Sequence, residues 1–281
     1  MTRMTWWSRL FGGRQGSTTR PAAAPPGPTA SRAARPASPT PTSGAAPTTH
    51  VLGVTPSGVE VRGFHAPAAD LLPWWHRLRA DHATTGLWPV LLGPDLGDLA
   101  AALTPETRGD YDDAAQVRRA TAMTLGELQA LRVERAARYG GAEDDDLDDA
   151  DDEPDVVRRH PPRFSVTAED GLVALVPAAH GWQVPVVLGW EGGVNHDLEP
   201  VDHGVVLRDW HERFGAELVA LSDGQVLEVL VHRPPTTPGE ALAVAREQYD
   251  YCPDLVDQGV GDLQTLAREH AGAEAWSFWW D

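Results

Sequence analysis

The sequence predicts an α+β fold. It reads as a single domain from about residue 51 to 281, with a mixed, mostly antiparallel sheet and helices packed on it. Three observations carry that prediction. The last six residues, Trp276-Ser277-Phe278-Trp279-Trp280-Asp281, alternate as a β-strand does, with Trp276, Phe278 and Trp280 on one face. Aromatic side chains on both faces suggest a strand covered on both sides, so the terminal strand is expected at the centre of the sheet. Asp223-Gly224 stands between the apolar runs 217–221 and 226–232, a strong hairpin signal because such a turn needs positive φ at both central residues. Finally, Thr124-Leu125-Gly126-Glu127 and Thr237-Pro238-Gly239-Glu240 are both capping boxes, so helices alternate with the strands.

Residues 1–50 hold six Arg and no acid, and from Thr18 to Thr49 they are nearly all Pro, Ala, Ser, Thr, Gly and Arg. Such a tail has almost nothing apolar to bury and is expected to be disordered. Trp6-Trp7-Ser8-Arg9-Leu10-Phe11 at its start is a short aromatic patch, suited at most to weak contact with a membrane surface or a partner. The fold begins with Val51-Leu52-Gly53-Val54, a turn at 55–58, and Val59-Glu60-Val61. Leu71, Trp75, Leu78 and His82 follow at helical spacing, which predicts a helix over 68–82 with Trp75 inward and Gly86 after its end. Trp88-Pro89-Val90-Leu91-Leu92-Gly93 reads as a strand.

Residues 95–139 are helical in character and lead into ten acids and no base between Glu143 and Asp155. Like charges at that density repel and stay solvated, so 141–160 is expected to be an acidic, disordered linker. It divides the domain into an N-terminal part, 51–140, and a C-terminal part, 161–281. In the second part, 172–176 and 184–190 read as strands and 191–197 as a loop. Val206, Leu207, Trp210 and Phe214 form the inward stripe of a helix closed by Gly215, with Arg208, Asp209, Glu212 and Arg213 outward. The hairpin follows, then a helix opened by Thr237 with Leu242, Ala245 and Tyr249 to one side. Asp262 caps a last helix carrying Leu263, Leu266, Ala267 and His270.

The net charge of −18 disfavours nucleic acid and anionic membranes as partners and permits a basic protein. Cys252 is the only cysteine, which excludes an intrachain disulfide and fits a cytoplasmic location. No apolar run approaches the roughly 20 residues of a membrane span.

The pieces in this order resemble a bacterial family of unknown function, domain of unknown function 4253. The resemblance rests on Gly189-Trp190, Asn195, the run from Leu207 to Ala216, Glu240-Ala241-Leu242, Tyr251-Cys252-Pro253-Asp254, Gln258-Gly259 and the terminal aromatic run. Gly86-Leu87-Trp88-Pro89-Val90-Leu91 looks like an upstream piece of the same pattern. The resemblance implies a shared fold and assigns no activity to any residue.

The segment 249–259 is richest in polar and aromatic groups. Tyr251, Asp254, Asp257 and Gln258 are candidates for a binding cleft with Trp190, Asn195, His211 and Trp280. The competing role for the same residues is structural, since Asp and Gly commonly cap helices and shape turns. Cys252 with His211 has the composition of a nucleophile and base, but a lone Cys before Pro more often packs as a small hydrophobe. His196, Asp197 and His203 are metal-ligand types without the i, i+4 spacing that aims two imidazoles at one ion. No phosphate loop, serine elbow or metalloprotease helix is present. No catalytic residue, cofactor or metal is therefore assigned. The sequence points to a non-catalytic protein- or ligand-binding module of immunity or regulatory type. The alternative is a small hydrolase or transferase using carboxylate and His residues near the terminal strand.

Overall fold

Seven strands form one sheet in the order β1-β2-β4-β3-β5-β6-β7 in a computed structural model of the chain. It describes residues 47–55, 57–94, 96, 103, 111–139, 162–222 and 225–281. The strands are β1 (His50–Val54), β2 (Glu60–Ala66), β3 (Leu87–Leu92), β4 (Gly171–Pro177), β5 (Ala216–Ser222), β6 (Val226–Val231) and β7 (Ala275–Trp279). The helices are α1 (Ala68–Thr85), α2 (Asp113–Ala122), α3 (Leu125–Tyr139), α4 (Val184–Leu188), α5 (Pro200–Phe214), α6 (Pro238–Tyr251) and α7 (Leu263–His270). Every neighbouring pair of strands is antiparallel except β3 and β5, which run parallel and meet at Leu91 and Ala220. The fold is α+β with a mixed, mostly antiparallel sheet, as the sequence predicts.

Most elements follow their local signals. Glu127 and Thr124 bond reciprocally at the start of α3, at 3.2 and 2.7 Å, and Thr237 caps α6 through the Glu240 amide. Asp262 accepts from the Thr265 amide at 2.7 Å to open α7. Gly86 and Gly215 end α1 and α5 in the left-handed conformation. Pro89 sits inside β3 between two neighbouring strands, where a missing N–H is costly. Beside it, the indole of Trp88 donates to the Leu218 carbonyl of β5 at 3.0 Å.

Four expectations are corrected. β7 is not central: among the described residues it pairs with β6 alone and forms one edge of the sheet. One face of it is nevertheless buried, with Trp276 and Phe278 at 0% exposure and Trp280, just after it, at 2%. On one face they pack on α5 and α6, where Phe278 stacks on Trp210 at 5.1 Å and Trp276 meets Phe214 at 5.4 Å. On the other, Ser277 bonds Glu228. The alternation along a strand reports that its faces are covered, and it carries no information about its edges.

The segment 184–190 is a one-turn helix, α4, rather than a strand. Pro185 falls in the first turn, where its absent N–H costs nothing, and Gly189 closes the turn at φ 55. Arg208 does not point outward. Its guanidinium reaches the carbonyls of Ala120 at 2.9 Å, Met123 at 2.6 Å and Thr121, capping the C-terminal end of α2. The buried stripe of α6 is Ala241, Val244, Ala245, Gln248 and Tyr251, so Leu242 and Tyr249 lie at its margin.

Several expectations lie outside the described residues: the tail before residue 47 with Trp6–Phe11, the turn residues Asp223 and Gly224, Gly140, and the acidic run.

Candidate functional site

The described candidate residues fall into three groups. The first surrounds the end of β7. α5 carries His203 inward in its first turn, α6 ends on Tyr251, and the loop 189–198 lays Trp190 against both. The His203 ring lies 4.8 Å from Trp190, 5.7 Å from Tyr251 and 5.6 Å from Trp280, centroid to centroid. One ring nitrogen, Nε2, faces the Gly192 carbonyl at 2.7 Å and so donates. The other, Nδ1, then accepts from the Tyr251 hydroxyl at 2.5 Å. Complete burial pushes the His203 pKa down to about 3, partly countered by the Gly192 bond and reinforced by the nearby Arg132 charge. The ring is therefore neutral, and this centre is an aromatic, hydrogen-bonded core. Gly193 is held at φ 69, and a Cβ there would stand 2.7 Å from Leu198 Cδ1 and 3.0 Å from the Trp280 ring. A glycine is required for the loop to close over the cage.

Outside the cage, a polar layer holds the end of the strand. Asp254 follows α6 and opens a π-helical turn, Leu255–Val260. Its Oδ2 accepts from the Asp281 amide at 2.9 Å and lies 3.1 Å from His196 Nε2. Its Oδ1 accepts from Gln258 Nε2 at 3.0 Å. Asn195 donates through Nδ2 to the Asp281 carbonyl. The Asp254 side chain is 5% exposed and that of His196 is 25% exposed. A buried carboxylate thus orients a half-exposed imidazole at the surface. Six sequence candidates, Trp190, Asn195, Tyr251, Asp254, Gln258 and Trp280, are brought together here. His196, weighed in the sequence only as a metal ligand, belongs with them.

Asp257 is on the exposed side of the π-helical turn. His211 is not in this group. Eight residues after His203 on α5, it is about 12 Å further along the helix. It donates from Nδ1 to the Ala216 carbonyl at 2.9 Å. The Cys252 thiol is buried, donates to the Trp279 carbonyl at 2.9 Å on the open edge of β7, and has its pKa pushed up by burial. It has the environment of a packed thiol, not of an activated nucleophile.

The second group lies at the other end of α5. His82 from α1, His180 after β4, and His211 approach one another beside Trp88 and Trp182. His180 stacks on Trp182 at 5.8 Å and stands 6.2 Å from His211. Partial burial, then the nearby His211, His82 and Arg79, hold its pKa below the usual value. The third group is a narrow crevice with an internal volume of about 20 Å³ between α3, α5 and α6, lined by Leu128, Arg132, Trp210, Glu247, Asp250 and Tyr251 among others. Arg132 donates to the Asp250 carbonyl there. Drug-sized ligands use pockets of roughly 300–1,000 Å³, so this is a seam between helices more than a ligand site.

Sequence reasoning missed Glu228. It is fully buried on β6, and accepts from the Ser165 amide at 2.6 Å, the Val166 amide at 3.2 Å and the Ser277 hydroxyl at 3.0 Å. Burial raises its pKa against those three bonds. The available signal was one acid inside Val226-Leu227-Glu228-Val229-Leu230-Val231, a run otherwise wholly apolar. It ties β6, β7 and the 165–168 turn together.

Residues 172–281 match the family model described as Domain of unknown function (DUF4253). No curated protein and no solved structure matches the chain. The matched stretch begins in β4 and runs past β7 to Asp281, so it contains all the candidate residues of the first group and Glu228.

Proposed function

We propose that the chain is a non-catalytic binding module, of immunity or regulatory type, that acts through contact with a basic protein or a small ligand. One observation carries this reading. The polar side chains with the strongest claim to chemistry, Asp254, His203, Tyr251, Gln258 and Asn195, are bonded to one another and to the end of β7. They stabilise a surface more than they present reactive atoms. The net charge of −18 supports a basic partner and disfavours nucleic acid. A cytoplasmic location is part of the proposal; among the described residues no helix is long and apolar enough to cross a membrane. Weak membrane or partner contact by Trp6–Phe11 is a further part of it.

The test is purification from the native host after mild crosslinking, comparing the wild type with Asn195→Arg and Gln258→Arg, which each place a positive charge in the exposed layer. A stoichiometric companion lost in both variants is expected. No companion at stoichiometric level with the wild type overturns the protein-partner form of the reading.

A second reading is favoured by the His196–Asp254 pair. A buried carboxylate orienting a half-exposed imidazole is the arrangement of a general base. A small hydrolase or transferase would use this pair rather than His211 or Asp257. Asp254→Asn and His196→Ala would then abolish turnover while His211→Ala retained it. Equal turnover in all three variants would end this alternative.

A further inference from the structure

We propose that His180 and His211 form a two-imidazole chelate for a borderline divalent ion such as Zn²⁺, Cu²⁺ or Ni²⁺. The site is separate from the cluster around β7 and does not depend on the binding-module reading.

The two residues come from different elements and are brought together by the fold. His211 stands in the last turn of α5, and His180 lies in the connection after β4. His211 donates its Nδ1 proton to the Ala216 carbonyl at 2.9 Å. That bond fixes the tautomer and leaves Nε2 with its lone pair. A backbone carbonyl on the remote nitrogen is the usual support of a ligating histidine, because it orients the ring and raises the basicity of the free nitrogen. His180 is exposed, and the parallel stack of its ring on Trp182, at 5.8 Å and 9°, orients it beside His211.

The separation is that of two imidazoles sharing one ion at a wide angle. A ring nitrogen binds zinc at about 2.0–2.1 Å, so two imidazole centroids on a shared ion stand roughly 5 to 6.4 Å apart, the longer value for a wide nitrogen–metal–nitrogen angle. The observed separation is 6.2 Å, with the rings tilted by 52°. A tetrahedral angle corresponds to about 5.2 Å, so a tetrahedral ion requires the exposed His180 ring to move about 1 Å closer to His211. Among the described residues no group of three or more His, Cys, Asp or Glu converges on one point. Water therefore completes the shell, and affinity is that of two imidazoles, which select Cu²⁺, Ni²⁺ and Zn²⁺ over Mg²⁺ and Ca²⁺.

The experiment is titration of untagged, metal-free full-length protein with ZnCl₂ and with CuSO₄, followed by calorimetry and by tryptophan fluorescence. Trp182, in contact with His180, reports Cu²⁺ by quenching. The wild type should bind one ion at this site. His180→Ala and His211→Gln should each weaken binding by at least about tenfold and remove the quenching. His232→Ala, an exposed histidine bonded to Glu217 and outside the pair, serves as control and should bind as the wild type does. His180→Ala removes an exposed ring, so it reads binding even if His211→Gln lowers stability. Affinity unchanged within about twofold in His180→Ala, or lost equally in His232→Ala, overturns the proposal.

Discussion

Acidification should destabilise this protein through two histidines that the fold holds neutral. His203 is depressed to about 3 and His270, bonded to Gln248 at 2.6 Å, to about 4, both by burial. In the unfolded chain each returns to about 6.5. A pKa depressed on folding means the unfolded state takes up the proton first. The stabilising contribution is therefore complete above pH 6.5 and is lost as pH falls toward the folded value. At pH 5 the shortfall is about 1.5 pH units for each ring, at about 1.4 kcal/mol per unit, so about 2 kcal/mol each. Asp202, Glu228, Asp250 and Glu269 oppose this trend: burial raises their pKa values, so their ionisation costs stability as pH rises. Subtracting a histidine-free variant cancels them. In His203→Gln the amide can still donate toward Gly192 and accept from Tyr251. Urea unfolding of both proteins from pH 7 to pH 5 should show the stability difference between them shrinking by about 2 kcal/mol. His270→Gln should behave likewise. Parallel curves for wild type and His203→Gln would show that the buried ring is not held neutral, and the account of the cage would fail.

Three other outcomes are expected. Phe278→Ala should cost about 3–5 kcal/mol by thermal or urea unfolding, because the ring is fully buried against Trp210 and Tyr251, and deleting 277–281 should abolish the cooperative transition. Arg208→Ala should lose about 2–3 kcal/mol by releasing three carbonyls at the end of α2, and Arg208→Lys should not restore it, since an ammonium cannot span them as the planar fork does. A fragment of residues 172–281 should fail to fold on its own, as circular dichroism and amide dispersion would report. Its β4 reaches β5 only through β3, which lies upstream of it; a dispersed, cooperative fragment would contradict this.

What was legible in the sequence was what local chemistry decides. Capping boxes at Thr124 and Thr237, the Asp262 cap and the closing glycines of α1 and α5 each satisfy backbone groups within a few residues, so their signals survive without knowledge of the fold. The inward stripe of α5 and the alternation in β7 were legible because period reports which faces are buried. Strand order was not, because β3 and β4 are separated in the chain by about 80 residues and meet through pairing that leaves no local mark. The site was half legible for the same reason. Asn195, Asp254 and Gln258 stand out as polar residues in loops. That His196 joins them, and that His211 does not, depends on which end of α5 faces the terminal strand.

The two segments Pro89-Val90-Leu91-Leu92-Gly93 and Pro185-Val186-Val187-Leu188-Gly189 make the division plain. They share the order proline, valine, apolar residue, leucine, glycine, yet the first is strand and the second is a helical turn. Propensity alone favours strand for both, and more strongly for the second, which is richer in β-branched residues. What differs is the surroundings. Residues 87–92 find β4 along their whole length, so extended backbone groups are paired. Residues 184–188 lie against α5 instead, with Val186 in contact range of Gly204, and among the described residues no strand pairs with them. A buried segment must bond its backbone internally or to a neighbour, and here the turn bonds itself while the Tyr111 hydroxyl donates to the Val186 carbonyl at 2.7 Å. The turn at Gly189 that results is what delivers Trp190 onto His203 and Trp280. The aromatic cage therefore depends on a turn that Pro185 and Gly189 permit and that the packing against α5 selects over the strand its valines would accept.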